Sequence, residues 1–261
     1  MRLYSIFFRH ATELTPTDTP EFKAWFRNSK VVNPDGTPKI VFHGTGSDFD
    51  EFQYSNDPGV PIDRLIGFHF AEDFNIAERF ANGLYDGNKG KVLAVYLSLQ
   101  NPKVVHQPVY SNGFRKPDQY AINEEVANVV FNEREDLFID WMTKTRNITA
   151  DVAKRVYETL QLGKIVTPEI AGSVNATEKP MSPGEYVNDF GLINVDKREI
   201  AKAYREIITS YGYDGLIYIN TSPSEVKEGD NPTTYIALYP TQIKSIYNKG
   251  TWNPNSANIY E

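Results

Sequence analysis

Apolar residues along this chain follow two rhythms. Short runs rich in β-branched and aromatic residues, bounded by turn residues, fall at Lys39–Thr45 (Lys-Ile-Val-Phe-His-Gly-Thr), Gly67–Ala71 (Gly-Phe-His-Phe-Ala), Val92–Leu99, Leu216–Ile219, Thr234–Tyr239 and Ile243–Tyr247. Each run predicts a strand. Val92–Leu99 is apolar on both faces, which places it centrally in a sheet. Between the third and fourth runs, apolar residues recur at helical spacing. Ile122, Val126, Val129 and Val130 make one stripe, and Leu137, Phe138 and Trp141 continue it. Val152, Val156 and Leu160 make another, and Ile200, Ala203, Ile207 and Tyr211 a third. These predict amphipathic helices.

Two shorter helices belong with the strands. Thr19 before Pro20 is a cap followed by proline at the first helical position, and Phe22, Trp25 and Phe26 form its apolar stripe. A helix over about 72–82 puts Phe74, Ala77, Phe80 and Ala81 on one side, and Asn82-Gly83 ends it. Asn33-Pro34-Asp35-Gly36 and Tyr213-Asp214-Gly215 are turns leading into strands. Residues 46–66 and 163–195 have no regular period and read as irregular. The expected fold is α+β. A polar leader over 1–19 precedes a single domain over 20–258, whose β-rich core carries a mainly helical insertion at about 109–195.

Composition narrows the chemistry. A net charge of −7 argues against nucleic-acid binding through bulk positive charge. The absence of cysteine rules out disulfides, thiolate metal sites and a cysteine nucleophile. No run approaches the ~20 apolar residues of a membrane span, so a cytoplasmic protein is the simplest expectation. No metal-ligand spacing, phosphate-binding glycine loop or serine nucleophile elbow is visible.

Of four histidines, two sit in the strand runs. His43 precedes Gly44 and Thr45 at a strand end, where a glycine lets a ligand approach the backbone. His69 alternates with Phe68 and Phe70, so it faces away from both if the strand is regular. Taken singly, each is as well explained by a satisfied structural histidine. Glu225, Glu228 and Asp230 lie in a charged loop before the Thr234 strand. Lys197, Arg198, Lys202 and Arg205 form a basic run that reads as a solvated helix face.

In order along the chain, several segments resemble the diphtheria-toxin and poly(ADP-ribose) polymerase type of ADP-ribosyltransferase, and most closely the transferase domains of phage and mobile-element polyvalent proteins. They are Val41-Phe42-His43-Gly44-Thr45, Gly67-Phe68-His69-Phe70-Ala71 with Ala77–Phe80, Val95-Tyr96-Leu97, Gly212-Tyr213-Asp214-Gly215, Thr234–Ser245 and the tail Gly250-Thr251-Trp252-Asn253-Pro254. The resemblance spans about 20–105 and 196–258 and leaves the helical insertion unmatched.

The resemblance implies a split mixed sheet and NAD as substrate. The family's His-Tyr-Glu triad maps onto His43, His69 and Thr234, which become the expected catalytic residues. His43 is expected to hold ribose hydroxyls, Gly44 the nicotinamide carboxamide, and Thr45 a ribose. His69 and Phe80 are expected to sandwich the nicotinamide ring, with Phe70 beside them among the binding residues. Histidine replaces the tyrosine and threonine the glutamate, an arrangement shared in part with the RNA 2'-phosphotransferase branch, which has two histidines and no glutamate. The implied activity is mono-ADP-ribosylation of a macromolecular acceptor, protein or nucleic acid, by a toxin or phage-related effector with an antitoxin-like inhibitor as a further partner. The alternatives are a degenerate module that binds NAD or ADP-ribose, and an RNA 2'-phosphotransferase-like enzyme. Glu225 or Glu228 swinging in is one way to replace the missing carboxylate.

Overall fold

Seven short strands, six of them at the apolar runs and one (Lys103–Val104) outside them, join in one mixed sheet in a computed structural model that describes residues 17–57, 59–83, 90–106, 118–221 and 232–261. They are β1 (Val41–Thr45), β2 (Phe68–Ala71), β3 (Lys91–Leu97), β4 (Lys103–Val104), β5 (Gly215–Ile219), β6 (Thr233–Ala237) and β7 (Ile243–Ser245). Their spatial order is β4-β5-β6-β2-β1-β3-β7. Only β4–β5 is parallel. Residues 1–16 of the expected leader, and Glu225 and Glu228, lie outside the described residues.

The pairing is uneven, and this matters for the site. β1 pairs with β3 from Val41↔Val95 to Thr45↔Lys91, and β5 pairs with β6 from Gly215↔Ala237 to Ile219↔Thr233. β1 meets β2 only at Phe42↔Ala71. The sheet is therefore two ladders, β4-β5-β6-β2 and β1-β3-β7, joined at a seam. This is the expected split mixed sheet.

Alternation along the strands gives the two faces different partners. On one face Phe68, Phe70, Leu93, Val95, Leu97, Tyr235 and Ala237 form a buried core with Phe52 and Ile259. On the other lie two helices, α1 (Pro20–Phe26) and α2 (Phe74–Ala81). Thr19 caps α1, its hydroxyl accepting from Phe22 N–H, and Phe22, Trp25 and Phe26 bury against Ala94, Tyr96, Ile246 and Trp252. Phe22 and Trp252 meet edge to face at 4.8 Å, so the tail tryptophan is a core residue of this unit. Asp73 caps α2 by accepting from Asn75 N–H at 2.7 Å.

The chain divides into two compact units. The sheet unit takes the described residues of Met1–Tyr54 with Gly67–Val104 and Tyr213–Glu261; the helical unit takes Ser55–Ile66 and Val105–Gly212. The helical unit contains α3 (Asp118–Glu133), α4 (Glu135–Arg146), α5 (Ala150–Gln161), α6 (Pro168–Ala171), α7 (Pro183–Phe190) and α8 (Lys197–Ser210). Phe131, Phe138, Trp141 and Tyr186 are buried at its centre.

This unit reaches beyond the expected 109–195 for identifiable reasons. Ile200, Ala203, Tyr204 and Ile208 bury one face of α8, with the Tyr204 hydroxyl 3.3 Å from Glu125 of α3. Ile62, Leu65 and Ile66 are buried, and Arg205 of α8 donates to the Leu65 carbonyl at 2.6 Å, so 55–66 is held by α8. Two helices also stand in the stretch read as irregular. One of them, α7, is started by a capping box between Ser182 and Glu185.

Candidate functional site

The seam between β1 and β2 gathers most of the residues singled out by sequence. Beyond Phe42↔Ala71 the β2-facing edge of His43, Gly44 and Thr45 has no strand partner among the described residues. The His43 ring spans the gap instead. Its Nδ1 lies 2.8 Å from the backbone oxygen of His69. A carbonyl oxygen only accepts, so Nδ1 carries the proton and Nε2 is an acceptor.

Three phenyl rings enclose His43: Phe52 at 5.0 Å, Phe70 at 5.5 Å and Phe49 at 6.5 Å between centroids. Burial among them pulls the imidazole pKa down to about 4, against the smaller upward pull of the His69 carbonyl. At neutral pH the ring is uncharged.

Gly44 has a steric reason to be glycine. A Cβ built there would lie 1.9 Å from the Ala77 carbonyl oxygen and 2.7 Å from Ala81 N. The α2 backbone thus lies directly on β1, and Phe74 clamps the same helix edge-on to Phe42 at 5.5 Å. Thr45 turns to its own loop, its hydroxyl accepting from Ser47 N–H at 3.1 Å.

His69 lies on the α2 face, two residues before Ala71 in β2. Its neighbour there is Tyr218 of β5, a residue the sequence reading passed over. The Tyr218 hydroxyl is 3.4 Å from His69 Nδ1, and the two rings meet edge to face at 6.3 Å. The available signal was alternation in Gly215–Ile219, which puts Tyr218 and Leu216 on one face; the register that aligns Tyr218 with β6 is a tertiary fact. Phe80 is half-buried on α2, the helix that covers Gly44.

Two expected residues sit differently. Phe70 is 1% exposed and lies in the core on the face opposite His69. Strand alternation sends it under His43, so it supports that ring and does not line the α2 face. Thr234 pairs with Ala71 on one side and Tyr218 on the other. It is 4% exposed, and its hydroxyl has no hydrogen-bond partner among the described residues.

A carboxylate does stand at the end of β2, but it is engaged. Glu72 accepts from Thr233 N–H at 2.7 Å and pairs with Lys39 at 2.9 Å. Burial alone would raise its pKa, yet these bonds hold the carboxyl below the usual range. Glu72 clips β6 to the entry of β1. Among the described residues no group of three histidine, aspartate or glutamate side chains is arranged to hold a metal, and no helix is long and apolar enough to cross a membrane.

No curated protein and no solved structure matches the chain. The family described as ADP-ribosyltransferase in polyvalent proteins matches residues 33–253, from the turn before β1 through both halves of the seam to the tail tryptophan. With a split mixed sheet and a histidine bridging its seam, the chain belongs to that ADP-ribosyltransferase family.

Proposed function

We propose that the protein is an NAD-dependent mono-ADP-ribosyltransferase that uses the β1–β2 seam as its substrate cleft. The observation that carries this reading is the His43 bridge. It presents a neutral imidazole with its proton on Nδ1 and its Nε2 lone pair unassigned to the sheet, beside a glycine whose β2-facing edge has no strand partner among the described residues. Such an imidazole accepts a hydrogen bond from a ribose hydroxyl, and an unpaired strand edge offers the N–H and C=O that a carboxamide needs.

In the reaction the bond between nicotinamide nitrogen and ribose carbon breaks, and its electron pair leaves with nicotinamide. A nucleophilic oxygen or nitrogen of the acceptor then bonds to that carbon and gives up its proton. Positive charge develops on the ribose as in glycoside cleavage. A family glutamate would stabilise that charge, and loss of one such group costs on the order of 10²–10³ in rate. With Thr234 uncharged and enclosed, catalysis rests on positioning, by His43 on ribose and by His69 and Phe80 on nicotinamide. Growth of a poly(ADP-ribose) chain, which relies on that glutamate to activate a hydroxyl, is not expected.

A macromolecular acceptor in the cytosol of a bacterium or phage-infected cell fits this reading, in a toxin or effector role checked by an inhibitory partner. Protein is favoured over nucleic acid. The net charge is −7, and within the basic run Arg198 pairs with Asp196, Lys202 with Glu206, and Arg205 with the Leu65 carbonyl. The test is incubation of the protein with labelled NAD and cell lysate, followed by protease or nuclease. Label on a protease-sensitive product, absent with His43→Ala, is the expected result. Equal signals from both proteins, with neither transfer nor nicotinamide release, would rule the reading out.

The buried Thr234 hydroxyl favours one second reading, a module that binds NAD or ADP-ribose without turnover. Calorimetric binding of NAD with no nicotinamide release would select it.

A further inference from the structure

Two of the three rings around His43, Phe49 and Phe52, come from the stretch after β1 that has no regular period in the sequence. What fixes them is a segment far along the chain. Asp50 stands next to one ring and two residues before the other. Its carbonyl accepts from Ile259 N–H at 2.8 Å, and its carboxylate accepts from the Asn258 side-chain amide at 3.1 Å. Glu51 pairs with Asn258 in an antiparallel bridge. The Ile259 side chain is fully buried in the same core as Phe52.

The other side of this segment is fixed to β7. The Ile259 carbonyl accepts from Ser245 N–H at 2.8 Å and from the Asn248 side-chain amide at 3.3 Å. Ile259 therefore joins the last strand of the sheet to the loop, its carbonyl on one and its N–H on the other. Lys244 of β7 is fully buried and donates to the carbonyls of Ser256 and Asn258 at 2.9 and 2.8 Å. A buried ammonium is costly unless its donors are used, and here they go to this segment. Residues 256–261 lie beyond the family match, which ends at 253.

We propose that residues 256–261 are a strap that positions the aromatic wall of the His43 site, with Asn258 and Ile259 as its positioning residues. Through Asp50 the strap sets where Phe49 and Phe52 stand. Those rings in turn set the direction of the imidazole and keep water from it. The value of this to catalysis rests on the transferase reading above; the coupling of the strap to His43 does not.

The experiment follows the His43 titration in the whole protein, labelled with 15N at histidine and assigned with His43→Gln. Burial among the rings holds its pKa down at about 4, and the other titratable group acting on it is His69. The Asp48, Asp50 and Glu51 residues of the loop are exposed. In Ile259→Ala the His43 pKa is expected to rise toward its ordinary 6.5, a gain of roughly tenfold or more in proton affinity, and Ile259→Val is expected to stay near the wild type. Ile246→Ala, an equal truncation in the core on the α1 face, is expected to lower the melting midpoint without moving that titration. If Ile259→Ala does not fold, Asn258→Ala, which leaves the core intact, gives the same rise on a smaller scale. A His43 titration unmoved in the strap variants, or moved as far by Ile246→Ala, overturns the proposal.

A kinetic arm keeps the two readings apart. If NAD is turned over, Ile259→Ala lowers kcat/KM by up to about 10²-fold, and Ile259→Val largely retains it. A rise in turnover would instead make the segment a latch over the site and overturn the proposal. A His43 titration that moves in a protein releasing no nicotinamide leaves the strap standing and removes the transferase reading. Wild-type turnover in Ile259→Ala with the titration unmoved does the reverse.

Discussion

The two sides of the seam carry the same side chain in nearly the same local sequence, Phe-His-Gly in β1 and Phe-His-Phe in β2, and hold it in opposite ways. On the β1 side the imidazole points into the aromatic core, bonded to a carbonyl and flanked by Phe49, Phe52 and Phe70. On the β2 side it points to the α2 face, beside the Tyr218 hydroxyl. The strand supplies only direction. The surroundings differ: the His69 backbone lies against one ring, and the Tyr218 side chain of β5 is among the neighbours of the other. A difference of this kind is invisible to residue type and decisive for chemistry.

The largest expected effect comes from emptying the β1 side. His43→Ala removes the bridge to the His69 carbonyl and the Nε2 acceptor together, and transferase activity should fall by about 10²–10³-fold. Nicotinamide release from NAD measures it. A variant that retains activity within a few-fold of the wild type would show that the β1 side is structural and the β2 side does the binding.

Next is the backbone beside it. Gly44→Ala forces a Cβ to within 1.9 Å of a helix carbonyl, so α2 must move off β1. Overpacking against backbone costs about 1–3 kcal/mol. Thermal denaturation should show a midpoint lower by several degrees, and NAD binding should weaken in parallel as Phe80 moves with α2. A variant of wild-type stability would mean that α2 is not seated on Gly44.

The β1 side should also be sensitive to acid. His43 is neutral in the folded protein down to about pH 4 but binds a proton near pH 6.5 once unfolded. Between those values the unfolded chain carries the extra proton. Stability from this group is therefore complete above pH 6.5 and is lost as the pH falls toward 4. The loss is on the order of 2–3 kcal/mol, allowing for the ring's remaining contact with water. Denaturant titrations at pH 7 and 4.5 should differ by less in His43→Gln than in the wild type. An equal difference in both would place the acid sensitivity elsewhere.

Much of this was legible in the sequence because it rests on local rules. Thr19-Pro20 marked the start of α1, and the runs around His43, His69, Val95, Leu216 and Thr234 marked their strands to within a residue or two at most ends. Glycine at 44 marked a close approach, expected of a ligand, and the structure puts the α2 backbone there. What was not legible depends on register. Phe70 entered the binding residues with the resemblance, although alternation along the strand already sent it to the face opposite His69. Tyr218 was missed because its tie to His69 runs through β6, two ladders away in pairing and far along the chain. β4, two residues long, has no periodicity to read, and α8 joins the helical unit through side-chain contacts that no spacing announces. The family's residue order survived these limits because motif order is itself a record of register.

The smallest expected effect falls on Thr234, and it sharpens the contrast most. The family position calls for a charged group facing the ribose, whereas this structure buries a hydroxyl between β2 and β5 with no hydrogen-bond partner among the described residues. A buried hydroxyl without a partner carries a desolvation cost of about 1–3 kcal/mol. Thr234→Val keeps the β-branched shape that suits a central strand and removes that cost. The variant should be as stable as the wild type or more stable by up to about 1 kcal/mol, with NAD turnover unchanged. A large loss of turnover would mean that Thr234 meets the substrate directly. The third position would then lie on β6, as the family pattern has it.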